Sequence, residues 1–256
     1  MTKRRRIVLA SIFAAGLSLF TMIAGLEPEV LEVVAAMVLV YLACVWALQP
    51  IMSGLEYGTL LALPILLTAG VILTGETPNL PVPWKYFLPP GYGAALYVTL
   101  LAENIFNVSG SRLVPLLRAA RTVGYLMTLG VVFLVSSLLF TRHLPAYFNL
   151  LIMFLVGGAA VGQALWQVLL NKTNRRKLVL ASLVSAISTG ELALVISFWP
   201  VAPLAAGLAI TTLVYVLVGL IQHDWQESLT RRAILEYIVV SVGVFLALLL
   251  STSWSG

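Results

Sequence analysis

Side chains able to do chemistry are scarce in this sequence, and two carboxylates stand apart. Glu191, in Ser188-Thr189-Gly190-Glu191, and Glu103, in Glu103-Asn104-Ile105-Phe106-Asn107, both fall inside long apolar runs. The other eight of the ten acids have ordinary settings: Glu27, Glu29 and Glu32 around Pro28 at a helix start, Glu56, Glu76, Asp224 and Glu227 in or beside loops, and Glu236 four residues after Arg232, its expected partner. A carboxyl in hydrocarbon is costly, so an intramembrane acid is a functional candidate by default. Glu191 is expected to face other helices, as a proton or ion relay or as an interhelical hydrogen-bonding group. Helical spacing places Glu103, Asn104 and Asn107 on one face and Gln163, Gln167 and Asn171 on another, with Trp166 beside the second set. These two stripes are expected to line one polar pocket, with Arg118 or Arg121 near it. The alternative is two separate sets of interhelical hydrogen bonds, each contributing roughly 0.6–2 kcal/mol.

Other chemistries lack their residues. His143 and His223 are the only histidines and both lie in loops, while Cys44 is the only cysteine, so no metal or haem site is expected. There is no H-E-x-x-H, G-x-S-x-G, P-loop or dinucleotide signature. No lysine lies in the later apolar runs to hold a retinal, and no arginine recurs every third residue as in a voltage sensor. No catalytic residue and no cofactor is therefore assigned.

The elements that position these groups follow from composition. Of 256 residues, 61% are hydrophobic and 10% charged, against roughly 45–50% and about 25% in soluble domains. That excludes a soluble enzyme, a disordered chain and a nucleic-acid-binding domain, in spite of the net charge of +5. A spanning helix needs about 20 mostly apolar residues. Nine candidates run over 7–25, 30–48, 58–74, 92–108, 122–140, 148–170, 178–198, 203–221 and 234–252. None alternates polar and apolar residues as a barrel strand does. The expected fold is all-α, a polytopic transmembrane helix bundle forming a single domain over 1–256 with no soluble domain.

Threading nine spans from a cytoplasmic N-terminus puts thirteen of the fifteen Lys and Arg inside and leaves only Lys85 and Arg142 outside. That asymmetry sets orientation and places the C-terminus outside. Lys3-Arg4-Arg5-Arg6 ahead of the first run resembles a signal sequence, but the run is too long and lacks a clear cleavage site, so it reads as an uncleaved span. An eight-span chain, losing the fourth span or the turn Trp199-Pro200-Val201-Ala202-Pro203, is the alternative. The sequons at Asn107 and Asn171 fall inside and should carry no glycan.

Residues 75–91, with Pro78, Pro81, Pro83, Pro89 and Pro90 among Trp84, Tyr86, Phe87 and Tyr92 nearby, are expected to lie along the outer interface, because proline cannot continue a helix. Residues 107–121 carry Arg112, Arg118 and Arg121, either as an interfacial helix touching anionic lipid headgroups or as a cytosolic extension of the fifth span. Gly158 and Gly162 form a G-x-x-x-G, and Ser182, Ala186 and Gly190 recur every four residues; both read as internal packing faces. Pro64 is expected to kink the third span.

The stretch from Glu103 to Asn107, followed by Arg112-Leu113-Val114-Pro115-Leu116-Leu117-Arg118-Ala119-Ala120-Arg121-Thr122-Val123-Gly124, resembles a segment of an uncharacterised family of polytopic bacterial membrane proteins, over about residues 95–170. The resemblance implies a bacterial cytoplasmic-membrane setting and no known activity. Three functions stay open, in this order: a non-catalytic scaffold or partner subunit of a membrane complex; a small transporter or channel using Glu191 and the pocket around Glu103; an inner-leaflet lipid-acting enzyme. The partners implied are the lipid bilayer, anionic headgroups and another membrane protein, not nucleic acid.

Overall fold

The computed structural model describes residues 2–24, 30–49, 61–75, 82–108, 114–169 and 175–252. Among these, nine helices follow one another and no strand occurs: α1 (Lys3–Ala24), α2 (Val30–Leu48), α3 (Ala62–Gly75), α4 (Val82–Val108), α5 (Val114–Thr141), α6 (Ala146–Leu169), α7 (Arg175–Ile196), α8 (Pro203–Trp225) and α9 (Arg231–Ser251). Seven of them, all except α3 and α4, are long and apolar enough to cross a membrane. Each corresponds in order to one expected segment. The chain divides into two compact units, Met1–Met127 and Thr128–Gly256, with the division inside α5.

In the first unit α1 packs against α2, α3 and α4, and α3 sits against α2 and α4. The buried face of α1 is Ile7, Ala10, Ser11, Ala14 and Ser18, a narrow strip of mostly small residues. It lets α4 approach closely: a Cβ on Gly93 would lie 3.2 Å from the Ser11 carbonyl oxygen and 3.0 Å from the Ala15 Cβ. The Ser11 hydroxyl donates to the Ile7 carbonyl one turn back, 3.0 Å away, which removes the cost of a hydroxyl in an apolar contact. Arg6 stacks over the Trp46 ring at 5.6 Å, so the start of α1 lies beside the end of α2. Gly75 at the end of α3 faces Met22 near the end of α1.

Prolines sit differently from expectation. Pro64 was expected to kink a span; instead α3 begins at Ala62 and Pro64 falls in its first turn, where the missing N–H has no intrahelical acceptor to lose. Pro89 and Pro90 were expected in a loop, yet α4 runs through both. They withhold donors from the carbonyls of Lys85 and Tyr86, four residues back. Both of those residues are exposed, so other donors can reach their carbonyls. Trp84, Tyr86 and Phe87 are exposed on this first part of α4. Tyr92 is not among them: it is buried, and its hydroxyl meets Thr68 Oγ1 at 2.7 Å. Thr68 donates its single hydroxyl proton to the Pro64 carbonyl at 2.7 Å, so Tyr92 is the donor to Thr68.

The second unit is built on α6 and α7, which run antiparallel in its most extensive contact, with α8 against both and α9 against α8. The two small-residue faces meet. A Cβ on Gly158 would come within 2.9 Å of the Ala186 Cβ, one on Gly162 within 2.8 Å of Ser182 Oγ, and one on Gly190 within 3.1 Å of the Leu150 carbonyl oxygen. Thr189 fits over Gly157 and donates to the Met153 carbonyl at 3.0 Å. At one end Asn149 Nδ2 donates to Ser197 Oγ at 2.9 Å, and Trp199 Nε1 donates to Thr252 Oγ1 at 2.8 Å. The start of α6, the α7–α8 turn and the end of α9 thus lie on one side. Ser137 packs on Gly207, joining α5 to α8. Helix α8 closes with Glu227 at φ 53°, its N–H on Asp224 O and the Ser228 N–H on His223 O, the paired hydrogen bonds of a Schellman end.

Replacing Gly157 by Ala would drive a methyl into Thr189 and break its bond to Met153. The expected cost is about 1–3 kcal/mol, read as a lowered thermal midpoint in detergent. Gly243→Ala, where nothing lies within 4 Å, should leave stability unchanged or raise it by up to about 1 kcal/mol.

Candidate functional site

The α6–α7 contact fixes the rotation of α7, and that rotation places Glu191. The buried face of α7 consists of Ser185, Ala186, Thr189, Gly190, Ala193 and Ile196. At about 100° per residue, the opposite face carries Leu180, Val184, Ile187, Glu191 and Val195, all exposed. Glu191 was expected to face other helices. It points outward instead, because the smallest residues of α7 (Ser182, Ala186, Gly190) are on the other side and closest approach to α6 selects them. Glu191 lies fourteen residues beyond Lys177, about 21 Å along the helix. In a hydrocarbon layer of about 30 Å, that leaves it roughly 9 Å short of the far interface, in the middle of an aliphatic stripe.

Glu103 behaves in the opposite way. It lies on α4 in the first unit and is 1% exposed, the one acid among the fully buried side chains of the described residues. Phe106, three residues on, is buried with it. Asn104 is half-buried, and its Oδ1 is a buried atom with no hydrogen-bond partner among the described residues. Gln163 and Gln167 lie on α6 in the second unit, 0% and 2% exposed. They sit one turn apart on the side of α6 turned away from Gly158 and α7. Glu103, Gln163 and Gln167 each have polar or electrostatic interactions. Glu103 thus belongs to the first unit and the two glutamines to the second, and all three are buried.

Arg118 is exposed and Arg121 half-buried on the first turns of α5, which runs without a break from Val114 to Thr141. Both arginines thus stand on the same continuous helix as the apolar part of α5. Arg112, the side chain of Asn107, and Asn171 lie outside the described residues, as do Glu27, Glu29, Glu56, Glu76 and the last four residues. Among the described residues no three His, Cys, Asp or Glu come together as a metal-binding group.

Sequence reasoning missed one polar cluster. On the α8–α9 hairpin the Tyr215 hydroxyl donates to Glu236 Oε1 at 3.2 Å, the partner found for Glu236 in place of the expected Arg232. The Tyr215 and Tyr237 rings lie 5.2 Å apart, and Tyr237 packs on Gly219. The spacing Glu236-Tyr237 opposite Tyr215 and Gly219 was the available signal, but it becomes visible only once the two helices are paired.

Residues 7–251 match the model of a family described as protein of unknown function (DUF5656), and the chain belongs to that family. No curated protein and no solved structure matches it.

Dicyclohexylcarbodiimide partitions into hydrocarbon and adds to carboxyl groups there. On the protein diluted to a monomer in detergent it should label Glu191 and leave Glu103 unmodified, as read by peptide mass mapping. Glu191 left untouched in that monomer would mean that α7 is turned the other way.

Proposed function

We propose that this chain is a non-catalytic subunit that associates with a protein partner inside a membrane. The observation that carries the reading is the exposed Glu191 in an otherwise aliphatic face of α7. Leaving a carboxyl in lipid costs up to about 2.5–3.5 kcal/mol, the insertion-scale value for Asp at a helix centre, and a helix laid over it removes that cost. The close α6–α7 contact supports the reading, since it leaves the outward face rigid and free. Anionic headgroups gathered by Arg112, Arg118 and Arg121 fit the same role at the inner surface.

We further propose nine spans, with the N-terminus cytoplasmic and the C-terminus outside, in a bacterial cytoplasmic membrane. Helices α3 and α4 are the two spans added to the seven apolar ones. Their support is that α3 packs among α1, α2 and α4. Reporter fusions after Ser251 should be active outside the cell, and fusions after Gln226 inside.

A second reading, transport, is favoured by the burial of Glu103, Gln163 and Gln167 in spans. It requires substrate flux that falls at least tenfold in Glu103→Gln while Glu191→Leu is unaffected. The subunit reading expects the reverse dependence: purification from native membranes in mild detergent should yield an oligomer or a stoichiometric complex, lost in Glu191→Leu and kept in Glu103→Gln. An isolated monomer from wild type and from both variants would remove it.

A further inference from the structure

We infer that the occupant of the outward face of α7 is a second copy of this chain, with the two Glu191 side chains meeting across a two-fold axis. The inference rests on the subunit reading above and names the partner it leaves open. Copies of one protein in a membrane share one orientation, so a two-fold relating them runs along the membrane normal. Such an axis brings each residue beside its own counterpart at the same depth. Only a group that can pair with itself is satisfied there. A carboxyl in its acid form is donor and acceptor at once, and two of them hydrogen-bond each other.

The rest of the stripe has the same self-matching character. Val184, Ile187 and Val195 flank Glu191 within one or two turns, and all are exposed aliphatic side chains that pack against copies of themselves. No cation lies in the stripe. The basic residues of α7 are Arg175, Arg176 and Lys177, all at its far end. A contact shifted along the axis would therefore bury Glu191 against aliphatic groups alone, which fixes the register at Glu191 opposite Glu191. The stripe runs for about 22 Å along the helix from Leu180 to Val195, long enough for a helix-pair interface.

Cysteine cross-linking of the full chain in native membranes tests this. The wild type supplies the blank, because its single Cys44 is buried. Ile187→Cys and Val195→Cys should form disulfide-linked dimers on mild oxidation. Val239→Cys, exposed on α9, should not rise above the blank. In vesicles of phosphatidylethanolamine and phosphatidylglycerol, dilution followed by single-molecule photobleaching should show a dimer. Glu191→Leu should weaken it between about three- and twentyfold, the range for intramembrane polar contacts. Glu191→Gln, whose amide also pairs with itself, should change it by less than threefold and shows that the fold survives substitution there. Stripe cysteines that cross-link no better than Val239→Cys, with a monomer in vesicles, overturn the second copy. In that case a different protein retained by wild type and lost in Glu191→Leu leaves the subunit reading standing; no retained protein ends both.

Discussion

The contact between α6 and α7 is the constraint on which the second unit depends. Backbones can approach as closely as they do here only where side chains are nearly absent, and Gly157, Gly158, Gly162 and Gly190 supply that absence at the points of contact. In lipid there is no solvent-driven force between apolar helices, so van der Waals fit and a few hydrogen bonds must hold them. Thr189 provides one such bond by reaching Met153 across the contact. A helix held along its smallest side has no freedom to rotate, and the position of every other residue on α7 follows.

Hydroxyl groups elsewhere show how the bundle tolerates polarity. Ser11, Thr74, Thr99, Thr141, Ser182, Thr211 and Ser241 all donate to a carbonyl one turn back in their own helix. A hydroxyl so engaged behaves toward its neighbours as a small apolar group with no donor left over. Among the described residues, side chains that bond between elements include Tyr92 to Thr68, Ser136 to Gly207, Asn149 to Ser197, Trp199 to Thr252, Tyr215 to Glu236 and Thr189 to Met153. Most of these sit near helix ends or at glycine contacts, where geometry brings a partner within reach. They specify which helices are neighbours, while the apolar remainder specifies only that they are helices.

This division explains what could be read in the chain beforehand. The nine segments were legible because length and hydrophobicity depend on composition alone, and Gly158-x-x-x-Gly162 and Ser182/Ala186/Gly190 were legible as packing faces. What could not be read was which face met which, and so the direction of Glu191 was misjudged. An apolar helix with lipid outside and protein inside lacks the polar–apolar contrast that orients a helix in water. Only residue size carries the information, and on α7 size and acidity point to opposite sides. The start of α4 was misplaced for a different reason. Pro89-Pro90 reads as a stop, yet two missing donors are tolerable where the orphaned carbonyls belong to exposed residues. Glu103 shares its turns with the core residues Ala102 and Phe106 and is buried with them.

The same geometry bears on what α7 can do. A path for ions or substrate along its inner side would have to pass Ser182, Ser185 and Thr189. Ser182 donates to Leu178, and Thr189 shares its one hydroxyl proton between the carbonyls of Ser185 and Met153. The space beside them is closed, since even a methyl on Gly157, Gly158 or Gly162 would collide with α7. A conduit cannot run through a contact that has no room for one carbon atom. Glu191 is separated from that side by the width of its own helix, so its chemistry is available only to what approaches from outside. In the reading proposed above, an acid in that position acts through contact with what lies against the outward stripe.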